Sequence, residues 1–148
     1  MRRPLIAVLV ATLSVVVAGP ASAALSIDPG AVRMLVPPAG SGDDPVPAMA
    51  AQVGGTYRFE VGYSVAGAPR IGTGHRFVFE NAVTGERMQA LSKRFAPEPP
   101  GLYRESSTLT VPATWAPGVY RIRWTVSARA TGLATARATG GRVFLVVG

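Results

Sequence analysis

The sequence predicts one all-β domain, an antiparallel sandwich of seven or eight short strands, set behind a cleavable export segment. Three observations lead there. Apolar residues alternate with polar ones over short runs, as in Tyr57, Phe59, Val61 and Tyr63 against Arg58, Glu60, Gly62 and Ser64. That is the period of a strand with one buried face. No stretch after the export segment sustains apolar residues at a helical spacing. The 17 glycines and 13 prolines are spread along the chain and punctuate the alternating runs with turns.

The chain starts with Arg2 and Arg3, followed by an apolar run from Leu5 to Ala18 and then Gly19-Pro20 and Ala21-Ser22-Ala23. A positive start, an apolar centre and a small-x-small end form a secretory signal peptide. The apolar run is about 14 residues, short of the roughly 20 that span a bilayer. Residues 1–23 are therefore expected to be the signal peptide, cleaved after Ala23, with residues 24–148 forming the domain and no transmembrane anchor remaining. No cysteine follows the apolar run, which excludes a lipid-anchored lipoprotein, and with none anywhere in the chain disulfides, Cys-based zinc sites and thiol catalysis are also excluded. Loss of Arg2 and Arg3 takes the net charge of +7 to +5, with Lys93 the single lysine among the remaining basic residues. The basic charge of an exported domain either serves solubility alone or favours an anionic envelope polymer, lipid headgroups or an acidic partner.

The strands follow in order. Ala24 to Val36 reads as a strand pair or a broken strand with Asp28-Pro29-Gly30 as the turn inside it. Residues 37–55 form a loop rich in Pro, Gly and Asp, with Val46 to Ala51 as a short edge segment. Thr56 to Val65 is the clearest strand. After a Gly/Pro loop over Ala66 to Gly74, Arg76 to Glu80 places Phe77 and Phe79 on one face. Thr84-Gly85-Glu86 turns the chain into a weaker strand, Met88 to Phe95. Pro97 to Gly101 is a stiff break, and Tyr103 to Val111 alternates again and stops at Pro112. Val119 to Ala128 is the most motif-like strand. A long hairpin loop over Ala128 to Gly141, in which Ala-Arg-Ala-Thr-Gly occurs twice, leads to a final strand from Arg142 to Val147. The expected core is Tyr57, Phe59, Val61, Tyr63, Phe77, Phe79, Leu109, Val111, Tyr120, Ile122, Trp124, Val126, Val143 and Leu145.

Leu109-Thr-Val-Pro112 followed by Pro117-Gly-Val-Tyr120 resembles the corner between the fifth and sixth strands of immunoglobulin-like and fibronectin type III-like domains. The resemblance implies an immunoglobulin-like sandwich in which Tyr120 bonds back to the upstream backbone and Trp124 lies in the core. Gly118 to Ser127 also looks like the penultimate strand of CopC-like periplasmic copper-binding domains. That family continues with Asp-Gly-His and begins its mature chain with a histidine ligand. Here Ala128 to Gly132 and Ala24 stand at those places, so neither copper position carries over. No cofactor and no metal site is expected.

His75 is the single histidine and is expected to be structural or solvent-facing. Asp43-Asp44 lacks the alternating ligands and terminal Glu of a calcium loop, and Met34, Met49 and Met88 are too scattered for a soft-metal site. Glu60, Glu80, Glu86, Glu98 and Glu105 are the carboxylates available for acid–base work. Glu60 and Glu80 fall on the outward parity of their strands, beside arginines. Ser106 and Ser107 have no Gly-x-Ser-x-Gly elbow.

Two sets of arginines remain. Arg76, Arg121, Arg123 and Arg142 are expected on one outer sheet face, with Glu80 at its margin. Arg70, Arg129 and Arg137 are expected on two loops at one end of the sandwich. Nucleic acid is a poor partner for an exported chain whose basic face carries no interleaved aromatics. The expected role is a non-catalytic binding or structural module at the cell surface or outside the cell. An exported metal- or small-ligand-carrying domain of CopC-like type without the usual copper ligands and an enzyme with an unrecognised carboxylate site are the alternatives.

Overall fold

Alternation and turns produce two sheets around one core. The computed structural model describes residues 24–36, 46–48 and 50–148. The signal segment, Asp43-Asp44 and Met49 lie outside the described residues. The strands are β1 (Ser26–Val36), β2 (Val46–Pro47), β3 (Ala50–Gln52), β4 (Thr56–Ala66), β5 (Gly72–Asn81), β6 (Arg87–Arg94), β7 (Gly101–Thr110), β8 (Gly118–Arg129) and β9 (Ala136–Val147). Among the described residues there is no helix. The first sheet has the order β2-β1-β4-β7 and the second β3-β9-β8-β5-β6. All pairings are antiparallel except β3 with β9.

β4 shows why these residues make strands. Every second side chain from Tyr57 to Val65 is buried and those between are not. Its inner row meets the inner rows of β5 and β8 across the gap between the sheets. Phe59 of the first sheet packs edge-on against Phe79 of the second, with centroids 4.9 Å apart at 72°, an arrangement favoured by the ring quadrupoles. A fully buried side chain of this kind contributes about 1.5–3 kcal/mol. Trp115 stacks on Tyr120 at 4.8 Å. The Tyr120 hydroxyl donates to the Ala116 carbonyl oxygen at 2.8 Å, so its polar end is satisfied at the turn entering β8.

The structure corrects four expectations. Asp28-Pro29-Gly30 is not a turn: β1 runs through it with an irregularity between Pro29 and Val32. Two residues there oppose Gly62 alone, the pattern of a bulge. A Cβ on Gly30 would come within 2.9 Å of the Gly62 carbonyl oxygen. β5 begins at Gly72, so the loop before it is shorter than the Gly/Pro composition suggests.

The long hairpin loop before the last strand is also shorter, because β9 starts at Ala136 and takes in the second Ala-Arg-Ala-Thr-Gly copy. Small residues suit that position because a large one faces them. Trp124 pairs with Gly140, and a Cβ there would lie 2.3 Å from the indole. Finally, Val143 and Leu145 are not core. They are 56% and 50% exposed, and Phe144 and Val146 are buried instead. The uniformly apolar run Val143-Phe-Leu-Val-Val147 has no alternation to fix its phase, which pairing with β8 supplies. The other twelve expected core residues are buried.

Candidate anion-binding face

The outer face of the second sheet brings together members of both predicted arginine sets, Arg76 of one and Arg129 and Arg137 of the other. Cross-strand partners share a face, so the register places each side chain. Gly74 lies opposite Ser127 on β8 and Arg94 on β6, and Ser127 lies opposite Arg137 on β9. Arg76 lies opposite Thr125 and Ser92, and Arg129 opposite Gly72. All these positions share the outward parity of Arg76.

They enclose a groove of about 430 Å³ whose lining includes Gly74, Arg76, Ser92, Arg94, Thr125, Ser127, Arg129 and Arg137. Its concavity follows from the sequence. The outward positions of β5 at this end are Gly72 and Gly74, which carry no side chain, flanked by short hydroxyl residues. The arginines stand around this floor. A smaller depression at Gly72, Arg94, Ser127 and Arg129 adjoins it. Next comes one lined by Arg70, Pro97, Arg129 and Thr131, so the concave surface runs on toward the loop end.

Among the described residues no carboxylate lines the groove. Among the described residues, Arg76, Arg94, Arg129 and Arg137 form no ion pair. Lys93 also borders the groove, but its ammonium donates to the Ser106 carbonyl oxygen at 2.9 Å. Four unpaired guanidinium groups around a concave floor, with the Lys93 ammonium at its border, create a positive potential that attracts and orients an anion.

The other predicted arginines sit elsewhere. Arg123 pairs with Glu80 at 3.0 Å, and Arg121 is half-buried opposite Glu80 and Val143. Arg70 donates to the Pro97 carbonyl oxygen at 2.8 Å and ties two loops together. Arg142 corrects the expectation. Its register partner is Ile122, a core residue, so it has the inward parity rather than that of Arg121 and Arg123. There its guanidinium donates to the Val32 carbonyl oxygen on β1 at 3.2 Å, closing the gap between the two sheets at that edge. Sequence reading missed Arg94 and the hydroxyls of Ser92, Thr125 and Ser127. The outward parity of β8 was the available signal for the last two.

A second polar cluster lies between the two sheets on the opposite side of β5. His75 is buried, its Nδ1 is 3.0 Å from Glu105 Oε2, and its Nε2 is 2.8 Å from Ser107 Oγ. Glu105 Oε1 accepts from the Thr73 hydroxyl at 2.8 Å and from the Tyr63 hydroxyl. Burial first, and then the bond to Glu105, hold the Tyr63 phenol above its usual range, so it remains a donor. Serine, histidine and carboxylate in this order have the connectivity of a nucleophile, base and orienting acid. Here they are 4%, 3% and 7% exposed and lie between the sheets, where a substrate has no approach. Their work is to join β5 of one sheet to β4 and β7 of the other. His75 is thus structural, and not solvent-facing.

A larger depression, about 640 Å³, lies on the first sheet over Gly30 and Gly62. Its rim sets Asp28 against Arg104 and so carries no charge excess. The smaller groove has the more directed chemistry. No protein-family model matches the chain, and no curated protein matches its sequence.

Proposed function

We propose that the chain is an exported, non-catalytic binding module of immunoglobulin-like architecture, holding an anionic partner in the arginine groove of its second sheet. Four free guanidinium groups around a glycine and hydroxyl floor, with no carboxylate among them, are the observation that carries this function. Arginine is suited to it because its planar fork matches carboxylate and phosphate geometry. Export is supported by the charged, apolar and small-residue pattern of residues 1–23. The immunoglobulin-like assignment is supported by strand order. β1, β4 and β7 share one sheet, and β9, β8 and β5 are consecutive in the other, as the first, second and fifth strands and the seventh, sixth and third are in that fold. The Tyr120 bond to Ala116 at the start of β8 supports it as well.

The test is retention on immobilised polyphosphate and polyglutamate across a salt gradient. The native chain is expected to bind and to elute with rising salt. Arg94→Glu/Arg137→Glu, both exposed positions, should elute near the void, while Arg121→Glu/Arg123→Glu keeps most of the retention. Equal retention of native chain and groove variant would refute the assignment of the site.

A further inference from the structure

We propose, resting on the anion-binding role above, that the groove takes a terminal phosphate, a phosphomonoester head group, at the centre of a ring of four arginines. The register makes the arrangement a ring and not a stripe. Arg94, Gly74, Ser127 and Arg137 form one row across four neighbouring strands. Three strand spacings separate the outer two by about 14 Å. Arg76 is two residues along β5 from this row, and Arg129 is two residues along β8 on its other side. Four residues of rise and one strand spacing put these two about 14 Å apart as well. The diagonals cross over Gly74 and Ser127, where the first carries no side chain and the second only a small hydroxyl.

A threaded polymer would be met by cations strung along one line. A ring with a hollow centre fits one compact, multiply charged head. Each guanidinium offers up to five N–H donors, and Ser92, Thr125 and Ser127 add hydroxyls. A carboxylate brings one charge and two oxygens to this donor excess. A phosphomonoester brings about −1.5 to −2 charge and three terminal oxygens, and arginine binds phosphate through paired, charge-assisted hydrogen bonds. A phosphodiester gives up one terminal oxygen and the second charge. The phosphate can belong to a soluble sugar or polyol phosphate or to a lipid head group, since the ring reads only the terminal group.

The test titrates the full chain with glycerol phosphate, dimethyl phosphate and acetate at constant ionic strength, followed by calorimetry. In a parallel arm the chain is sedimented with phosphatidylcholine vesicles, with and without phosphatidic acid. Glycerol phosphate should bind at least about tenfold more tightly than the other two anions, and Arg94→Gln or Arg137→Gln should each weaken it about tenfold. Ser127→Leu, which fills the hollow from a half-buried position on the outer face, should abolish it without lowering the melting temperature. Binding of glycerol phosphate alone assigns the head group to soluble phosphates, and co-sedimentation with phosphatidic acid as well extends it to lipid. Equal affinity for all three anions, with polyanion retention intact, would overturn the phosphate assignment and leave the anion-binding role standing. Absence of binding to every anion, polyphosphate and polyglutamate included, would remove both.

Discussion

Glu105→Leu should be the most destabilising single substitution on the inner face of β7. Its carboxylate accepts hydrogen bonds from Tyr63, Thr73 and His75, which come from both sheets and are all buried. Leucine leaves three donors without an acceptor, and each such group costs about 1–3 kcal/mol. Taking the low end, because Thr73 can rotate toward the surface, the loss is about 3 kcal/mol or more. A domain of this size has a total stability of roughly 6–19 kcal/mol at the usual value per residue. A substantial fraction of the fold therefore depends on one carboxylate. Urea unfolding followed by tryptophan fluorescence measures it, since Trp115 and Trp124 are both buried. Glu86→Leu, in the exposed turn before β6, is the control and should stay within about 0.5 kcal/mol of the native chain. Removing donors together with the acceptor, in Tyr63→Phe/Thr73→Val/Glu105→Leu, should restore part of the loss, because apolar replacement of both partners leaves fewer groups unsatisfied. If Glu105→Leu unfolds within 1 kcal/mol of the native chain, about the change expected of an ordinary point mutant, the cluster does not join the sheets.

Two further outcomes follow from the core. The Tyr63 phenol is held above its usual range by burial and by Glu105, so the folded state keeps that proton while the unfolded chain loses it near pH 10. This contribution is complete below about pH 10 and is lost as the pH rises beyond it; Tyr63→Phe should flatten the alkaline fall in melting temperature, and an unchanged slope would rule the effect out. In β9, Phe144→Ala should cost about 3–5 kcal/mol while Leu145→Ser stays within about 0.5 kcal/mol; the reverse order in urea unfolding would restore the phase that places Val143 and Leu145 inside.

The sequence revealed most of the fold wherever alternation was unbroken. Tyr57 to Tyr63 and Tyr120 to Val126 declared their buried face residue by residue. The signal failed where neighbours decide the outcome. In Val143 to Val147 every side chain is apolar, and only pairing with β8 and β3 selects Phe144 and Val146. At Gly72 and Gly74 glycine suggested a loop, whereas the structure uses it within a strand, and at Gly74 a Cβ would meet the Lys93 carbonyl oxygen of β6 at 2.9 Å. The buried cluster was more legible than the reading made of it. Two steps back from Leu109 along the core face is Ser107, and two more reach Glu105. The same stepping from Phe77 reaches His75 and Thr73. Polar residues at core parity announce a satisfied interior network, though not which strands supply the partners. The groove was only half visible for a similar reason. Arg76, Arg129 and Arg137 were evident as cations, but their convergence with Arg94 depends on the register of four strands that form two hairpins far apart in the chain.

The most direct measurement of the central claim is amide chemical-shift mapping by NMR during titration with polyphosphate. The earliest and largest shifts should fall on Gly74, Arg76, Arg94, Ser127, Arg129 and Arg137. Shifts centred on Arg121 and Arg123, on the first sheet around Arg104, or spread evenly over all basic residues would contradict an anion site in the groove.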